Sequence, residues 1–288
     1  MTNANFRRIR NVLAALAVTT LIAACSPESE TASTPSASGA SSCSAESLQT
    51  LTTGKLTVAT GEPAYYPWVI DDAPESGEGF EAAVAYAVAQ QLGFAKEDVV
   101  WVRTTFDGAV TPGAKTFDFN LQQFSITEER KAAVDFSSPY YSAPQAVVSY
   151  KGSAIEGKTT IAELKGAKLG AAVGTTSLDL VKSQIGVEPQ VFNDNAAAVA
   201  ALKNGQIDGL VVDLPTAFYL SGVEVENGII VGQLPSTGEG DNFGLLLAKD
   251  SPLTSCVSQA VDAIKADGSL DAITATWLGT DAGAPVLK

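Results

Sequence analysis

Ser125-Ile126-Thr127-Glu128-Glu129-Arg130, followed four residues later by Asp135-Phe136-Ser137-Ser138-Pro139-Tyr140-Tyr141, is the stretch on which the reading of this chain turns. It comes directly after a strand-like run at residues 118–123, so Ser125 and Arg130 belong to a loop leaving a strand. Working back towards the N-terminus, residues 55–59 and 99–104 also read as strands, and 80–92 as an alanine-rich helix ended by Gly93. Working forward, strand-like runs at 145–150, 167–172, 190–192 and 209–212 alternate with helical segments from Ser177 and across 196–204. Such alternation predicts an α/β fold with mostly parallel sheets. In open sheets of that kind ligands sit beyond the carboxyl ends of the strands, which directs attention to the loops after Ala59, Thr104, Gln123, Ala172 and Val212.

Composition removes several classes of function. With 18 basic and 32 acidic residues the net charge is −14, and nucleic acid is excluded as a partner. There is no histidine, so Ser-His and Cys-His nucleophiles and histidine metal sites are out of reach. No phosphate-binding loop, nucleophile elbow or paired-cysteine redox motif occurs. Residues 77–82 match a loose dinucleotide pattern, but they follow an acidic loop rather than a tight turn out of a strand. No cofactor and no metal is expected. The glycine-containing loops at 71–79 and 236–240 read as solvated connections.

The N-terminus carries its own message. Arg7, Arg8 and Arg10 precede an apolar run from Val12 to Ala24, about 13 residues against the roughly 18 that a membrane-spanning helix needs. That is the pattern of a secretory leader. Ile22-Ala23-Ala24-Cys25 resembles a bacterial lipobox, which implies cleavage before Cys25 and lipid on its thiol; the alternative is an ordinary leader with Cys25 incidental. Residues 26–42, almost wholly Ser, Thr, Ala, Pro, Glu and Gly, read as a disordered tether. Cys43 and Cys256 then remain as an even pair in an oxidising compartment, where a disulfide is permitted. Cys256 also lies on one helical face with Leu253, Val257, Ala260 and Ile264, so a buried thiol is the other reading.

Taken together and in order, Gly79-Phe80-Glu81, the Ser125 to Arg130 and Asp135 to Tyr141 runs, Gly174-Thr175-Thr176, Gly205-Gln206-Ile207-Asp208-Gly209, Asp213 and Trp277-Leu278-Gly279 resemble the family 3 bacterial extracellular solute-binding proteins. The resemblance spans residues 54–279. It implies a two-lobed periplasmic-binding-protein fold of type II, with two sheets joined by two hinge strands and an amino acid held between the lobes. The expected boundaries are 1–24 for the leader and 25–50 for anchor and tether. Residues 51–147 plus 243–288 would form the first lobe and 148–242 the second.

An enclosed amino acid is a zwitterion, and both its charges must be matched. Arg130 offers a planar fork for the α-carboxylate and Ser125 a hydroxyl and backbone N–H. Gly174-Thr175-Thr176, before a helix, offers further N–H donors. Asp213 receives the ammonium by resemblance; otherwise it caps the helix at Leu214-Pro215. The alternative for Arg130 is a surface pair with Glu128 or Asp135. Relatives carry an acid at the position of Glu62, which here would accept from a nitrogen-bearing side chain, with Tyr65 and Phe106 covering its apolar part. The other reading makes Glu62 a turn cap and Tyr65, Tyr66 and Trp68 a packed loop core. Gln123 stands where relatives often have a small residue, so it would narrow the pocket or add a polar contact. The expectation is a monomeric, non-enzymatic binding protein of an ABC importer, working with a permease and its ATPase. It would be held to the outer face of the cell membrane, or in the periplasm, by its lipid alone. The alternative is a lyase or dehydratase on the same fold, with Glu62 or Asp213 as acid or base.

Overall fold

The computed structural model describes residues 43–236, 242–279 and 284–288. The leader, Cys25, the tether to residue 42 and residues 237–240 of the expected loop lie outside them. The first run of elements is β1 (Leu56–Gly61), α1 (Phe80–Gln91), β2 (Val99–Thr104), α2 (Phe106–Val110), β3 (Phe119–Asn120), α3 (Glu128–Lys131) and β4 (Val134–Ser142). Then come β5 (Gln145–Tyr150), β6 (Leu169–Ala172), α4 (Thr176–Leu180), β7 (Gln190–Phe192), α5 (Asn195–Lys203), β8 (Gly209–Asp213), α6 (Leu214–Tyr219) and β9 (Gly228–Gln233). The last are β10 (Asn242–Ala248), α7 (Thr254–Ala266) and α8 (Ser269–Trp277).

These strands form two sheets, ordered β2-β1-β3-β10-β4 and β7-β6-β8-β5-β9, and the chain passes between them after β4 and again after β9. The protein is therefore an α/β molecule of two lobes, joined by these two passages between strands and by the return of the C-terminal residues described below. Parallel pairing is confined to half of each sheet. β1 is flanked in parallel by β2 and β3, and β6 by β7 and β8. The two remaining strands of each sheet run antiparallel. The sequence reading missed β4, β9 and β10, three of those antiparallel strands. β4 contains Pro139, which reads against a strand, but β4 is an edge, where a missing N–H is tolerated.

Both faces of each sheet are covered, which is why the strands read as apolar runs rather than alternating ones. In β1, Leu56 and Val58 join the cluster under α1, α7 and α8, while Ala59 joins Ala109, Phe117, Phe124 and Leu246 on the opposite face. In β5, Ala146 and Val148 pack with α5 and α6, and Val147 packs with Leu164, Val181 and Leu287. Leu287 marks a correction. Residues 284–288, expected in the first lobe with everything after 243, lie on the second sheet: Val286 bridges Gln233 and the Ile161 N–H donates to the Lys288 carbonyl at 2.9 Å. The apolar Leu287 fills a gap on that sheet's face, and this contact outweighs proximity in sequence. At the other end, Cys43 is bonded to Cys256 in α7. Leu253, Val257, Ala260 and Ile264 are buried around it.

Candidate functional site

The loops leaving β1, β2, β3, β6, β7 and β8 converge on one cavity of about 180 Å³ between the lobes, where a single water needs roughly 10–15 Å³ by the same measure. Glu62, Tyr65, Phe106, Gln123, Ser125 and Arg130 line it from the first lobe, and Thr175, Thr176 and Asp213 from the second.

Arg130 sits in α3, whose first N–H groups are capped by the Thr127 hydroxyl accepting from the Arg130 N–H at 3.2 Å. Its guanidinium donates to the Ser125 carbonyl at 2.8 Å and, across the cleft, to the Gly174 carbonyl at 2.9 Å. Its Cζ lies 5.2 Å from the centre of the Phe106 ring, which stacks in turn on Phe124. The surface pairing weighed above does not occur, because Glu128 pairs with Lys131 and Asp135 with Lys249. Among the described residues no carboxylate comes within ion-pairing distance of Arg130. Enclosure lowers its basicity, offset by the charges of Asp179, Asp213 and Glu129. A half-buried cation held by two carbonyls, with donors to spare, has the chemistry to receive an anion.

Gly174 and the two threonines form the opposite wall. Gly174 has φ +71°, a backbone conformation that calls for glycine. Thr175 caps α4: its hydroxyl accepts from the Leu178 N–H at 3.1 Å and donates to the Ala172 carbonyl at 2.8 Å. Its oxygen is thus spent on the fold, leaving backbone as its offer to the cavity. The Thr176 hydroxyl meets that of Ser125 at 3.1 Å across the cleft.

Asp213 occupies the N-cap position of α6, yet its side chain makes no capping bond. It accepts instead from the Gln145 amide, whose oxygen accepts from the Ser177 hydroxyl. This chain aims the carboxylate at the cavity. Glu62 is exposed at the rim and caps nothing. Tyr65 reaches the second lobe, its hydroxyl accepting from the Ala196 N–H at 3.3 Å, and burial pushes its phenol up to about 12.

The profile of the bacterial extracellular solute-binding proteins, family 3, matches residues 56–280. The chain belongs to this family. It is 31% identical over 226 residues to a probable histidine-binding protein of Campylobacter jejuni, covering 77% of this chain and 84% of that one. Among solved structures it is similar to an ancestral arginine-binding protein bound to glutamine, with 33% identity, a TM-score of 0.68, and 80% of this chain and 100% of the other covered. It is also similar to an ancestral amino acid-binding protein, AncCDT-1, a precursor of cyclohexadienyl dehydratase, with 28% identity, a TM-score of 0.64, and 78% and 95% covered.

Part of this family 3 cavity escaped the sequence reading. Asp194, the N-cap of α5, lines it between Asn193 and Asn195. Glu81 forms another part of the wall, where the fragment Gly79-Phe80-Glu81 was read only as a family mark. Its carboxylate, 1% exposed, accepts from the Tyr140 hydroxyl and from both the backbone and side-chain N–H groups of Gln123. Gln123 is held at φ +50°, a left-handed conformation costly for a residue with a β-carbon. Glu81 thereby fixes the turn that leads to Ser125.

Burial pushes the Glu81 carboxyl up to about 7 from 4.5, against the pull of its three donors. In the unfolded chain it ionises first, so between roughly pH 4.5 and 7 the unfolded state loses a proton that the folded state keeps. Its contribution to stability is therefore full below that window and is lost as pH rises through it. Denaturant melts from pH 4 to 8 are expected to show wild type losing stability relative to Glu81→Gln across this interval. A constant difference between the two would place the ionisation of Glu81 elsewhere.

Proposed function

We propose that this chain is the extracytoplasmic substrate-binding lipoprotein of an ABC importer, anchored through Cys25, and that it takes up an amino acid with a basic or amide side chain. The observation that carries the reading is Arg130, a half-buried cation facing the cavity with no carboxylate of the described residues within ion-pairing distance. Its fork receives the α-carboxylate, helped by Ser125, by Thr176 and by the backbone at Thr175. Asp213, oriented by Gln145, receives the ammonium. Glu62, Tyr65, Phe106 and Gln123 surround the side chain, although Phe106 and Gln123 also hold Arg130 and the Glu81 turn in place.

Charge narrows the ligand. Lining the cavity are Glu62, Glu81, Asp194 and Asp213 against Arg130. A zwitterion matches Arg130 and Asp213 one to one and Glu81 is satisfied internally, which leaves Glu62 and Asp194 for a cationic or hydrogen-bond-donating side chain. Permease and ATPase then take the loaded protein as partners. No cofactor enters.

A thermal-shift screen of the chain without residues 1–24 and with Cys25→Ser, against all amino acids, tests this. A ligand that binds only the folded state stabilises by about 4 kcal/mol at 1,000-fold excess over Kd. Arginine, lysine or histidine is expected to give the largest shift, amides less and glutamate least. A larger shift with glutamate than with any basic amino acid would sink the charge argument. Chemical conversion of the ligand on incubation would favour the enzymatic alternative.

A further inference from the structure

The first-lobe loop after β1 reaches across the cleft at three points besides the ligand clamp. The Trp68 indole N–H donates to the Thr216 hydroxyl of α6 at 2.9 Å, and the Tyr66 ring lies 4.5 Å, centre to centre, from that of Tyr219, also in α6. Tyr65 supplies the third, to Ala196 in α5. Trp68 is 1% exposed and Thr216 5%. The indole is fixed from behind by Phe80, Tyr141 and Phe243, each in edge contact with it. Tyr219 is fixed through its hydroxyl, which donates to Glu224 at 2.9 Å. Trp68 and Tyr219 are thus each held by their own lobe, and the contacts with Thr216 and Tyr66 exist only when the lobes meet.

We infer that Trp68 with Thr216, and Tyr66 with Tyr219, form a latch that sets how readily the lobes close and so sets affinity without touching the ligand's charged groups. The inference rests on the binding role proposed above. The same two elements carry latch and clamp: the loop that begins at Glu62 and Tyr65 continues into Tyr66 and Trp68, and the helix that follows Asp213 carries Thr216 and Tyr219. A ligand pulling Asp213 towards the first lobe brings the latch together, and the latch, once made, favours the conformation that the ligand needs. Apparent affinity scales with the fraction of molecules in the binding-competent form, so loss of a latch contact appears as weaker binding and faster release. A buried N–H on one side and a buried hydroxyl on the other also make the closed register specific, because a misaligned closure leaves both short of this bond.

The test uses Trp68→Phe, Thr216→Val and Tyr219→Ala in the chain with Cys25→Ser. Calorimetry and stopped-flow release, with L-arginine as the probe, give affinity. Distances between spin labels placed one on each lobe, without and with ligand, give closure. Each variant is expected to raise Kd by about 3- to 10-fold, mainly through release, and to shift the ligand-free distances towards the open form. At saturation the wild-type distance should return. Thr216→Val removes the acceptor with little change of volume, so it stands if Trp68→Phe folds poorly. Unchanged ligand-free distances in all three variants overturn the latch, whatever Kd does. If wild type binds neither arginine nor any other amino acid, the binding proposal falls, while the ligand-free distances still decide the latch.

Discussion

Arg130→Ala is expected to abolish ligand binding while leaving the unliganded protein folded. Removing one partner of an enclosed, hydrogen-bonded charge pair costs 2–5 kcal/mol or more, about 30- to 5,000-fold in Kd, because the ligand carboxylate is still desolvated but keeps only part of its donors. The fold should survive, since the Arg130 side chain gives the protein itself two hydrogen bonds to carbonyls and a ring contact. Arg130→Lys should fall between wild type and alanine: an ammonium keeps the charge and loses the fork. Calorimetry with the ligand from the screen decides. A change within about twofold, on the order of 0.4 kcal/mol, would make Arg130 a tie between the lobes and nothing more.

The second large effect concerns stability. The Cys43–Cys256 bond joins residues 213 apart in sequence, and closing a loop of that size carries a loop-entropy contribution of about 5 kcal/mol, with losses of about 2–5 kcal/mol typical when native bonds are removed. Cys43→Ala with Cys256→Ala is expected to lose stability within that range by denaturant titration. The ligand site should be unaffected, because the bond lies behind α7, within the apolar cluster of the first lobe. Weaker binding measured well below the melting temperature would mean that the bond also shapes the cleft. A loss under about 1 kcal/mol would mean that the segment from Cys43 is held well enough by packing.

Much of the site was legible because it lies in loops after strands, and loops keep their chemistry in short consecutive motifs. Arg130, Ser125 and Thr176 could be picked out on that basis, Asp213 and Glu62 only through the family resemblance, and all five line the one cavity. What failed was whatever depended on a distant partner. Gln123 lines the pocket, but the commitment of its amide to Glu81, 42 residues earlier, left no mark in the sequence. Trp68 and Thr216 are 148 residues apart, and no periodicity links them. In the fold, the parallel halves of both sheets carry strong helix-strand alternation, whereas β4 has an internal proline and β10 follows a glycine-containing loop, so their strand character is visible only once a sheet accepts them. The Cys256 pattern suited a bonded and a buried cysteine equally, since the helix face is apolar in either case.

The order of strands has a consequence for how the chain acquires its shape as it emerges from N- to C-terminus. Everything in the second sheet from β5 to β9 is contiguous, but in the first sheet β10 lies between β3 and β4, and β4 pairs only with β10. Until residue 242 has appeared, β3 presents an unsatisfied edge and β4 has no neighbour. The N-terminal half, first to emerge, must therefore wait with an open sheet edge prone to wrong pairing while the strands of the second sheet find one another. Cys256 emerges later still, so the covalent closure at Cys43 can seal the first lobe only after its missing strand has been inserted.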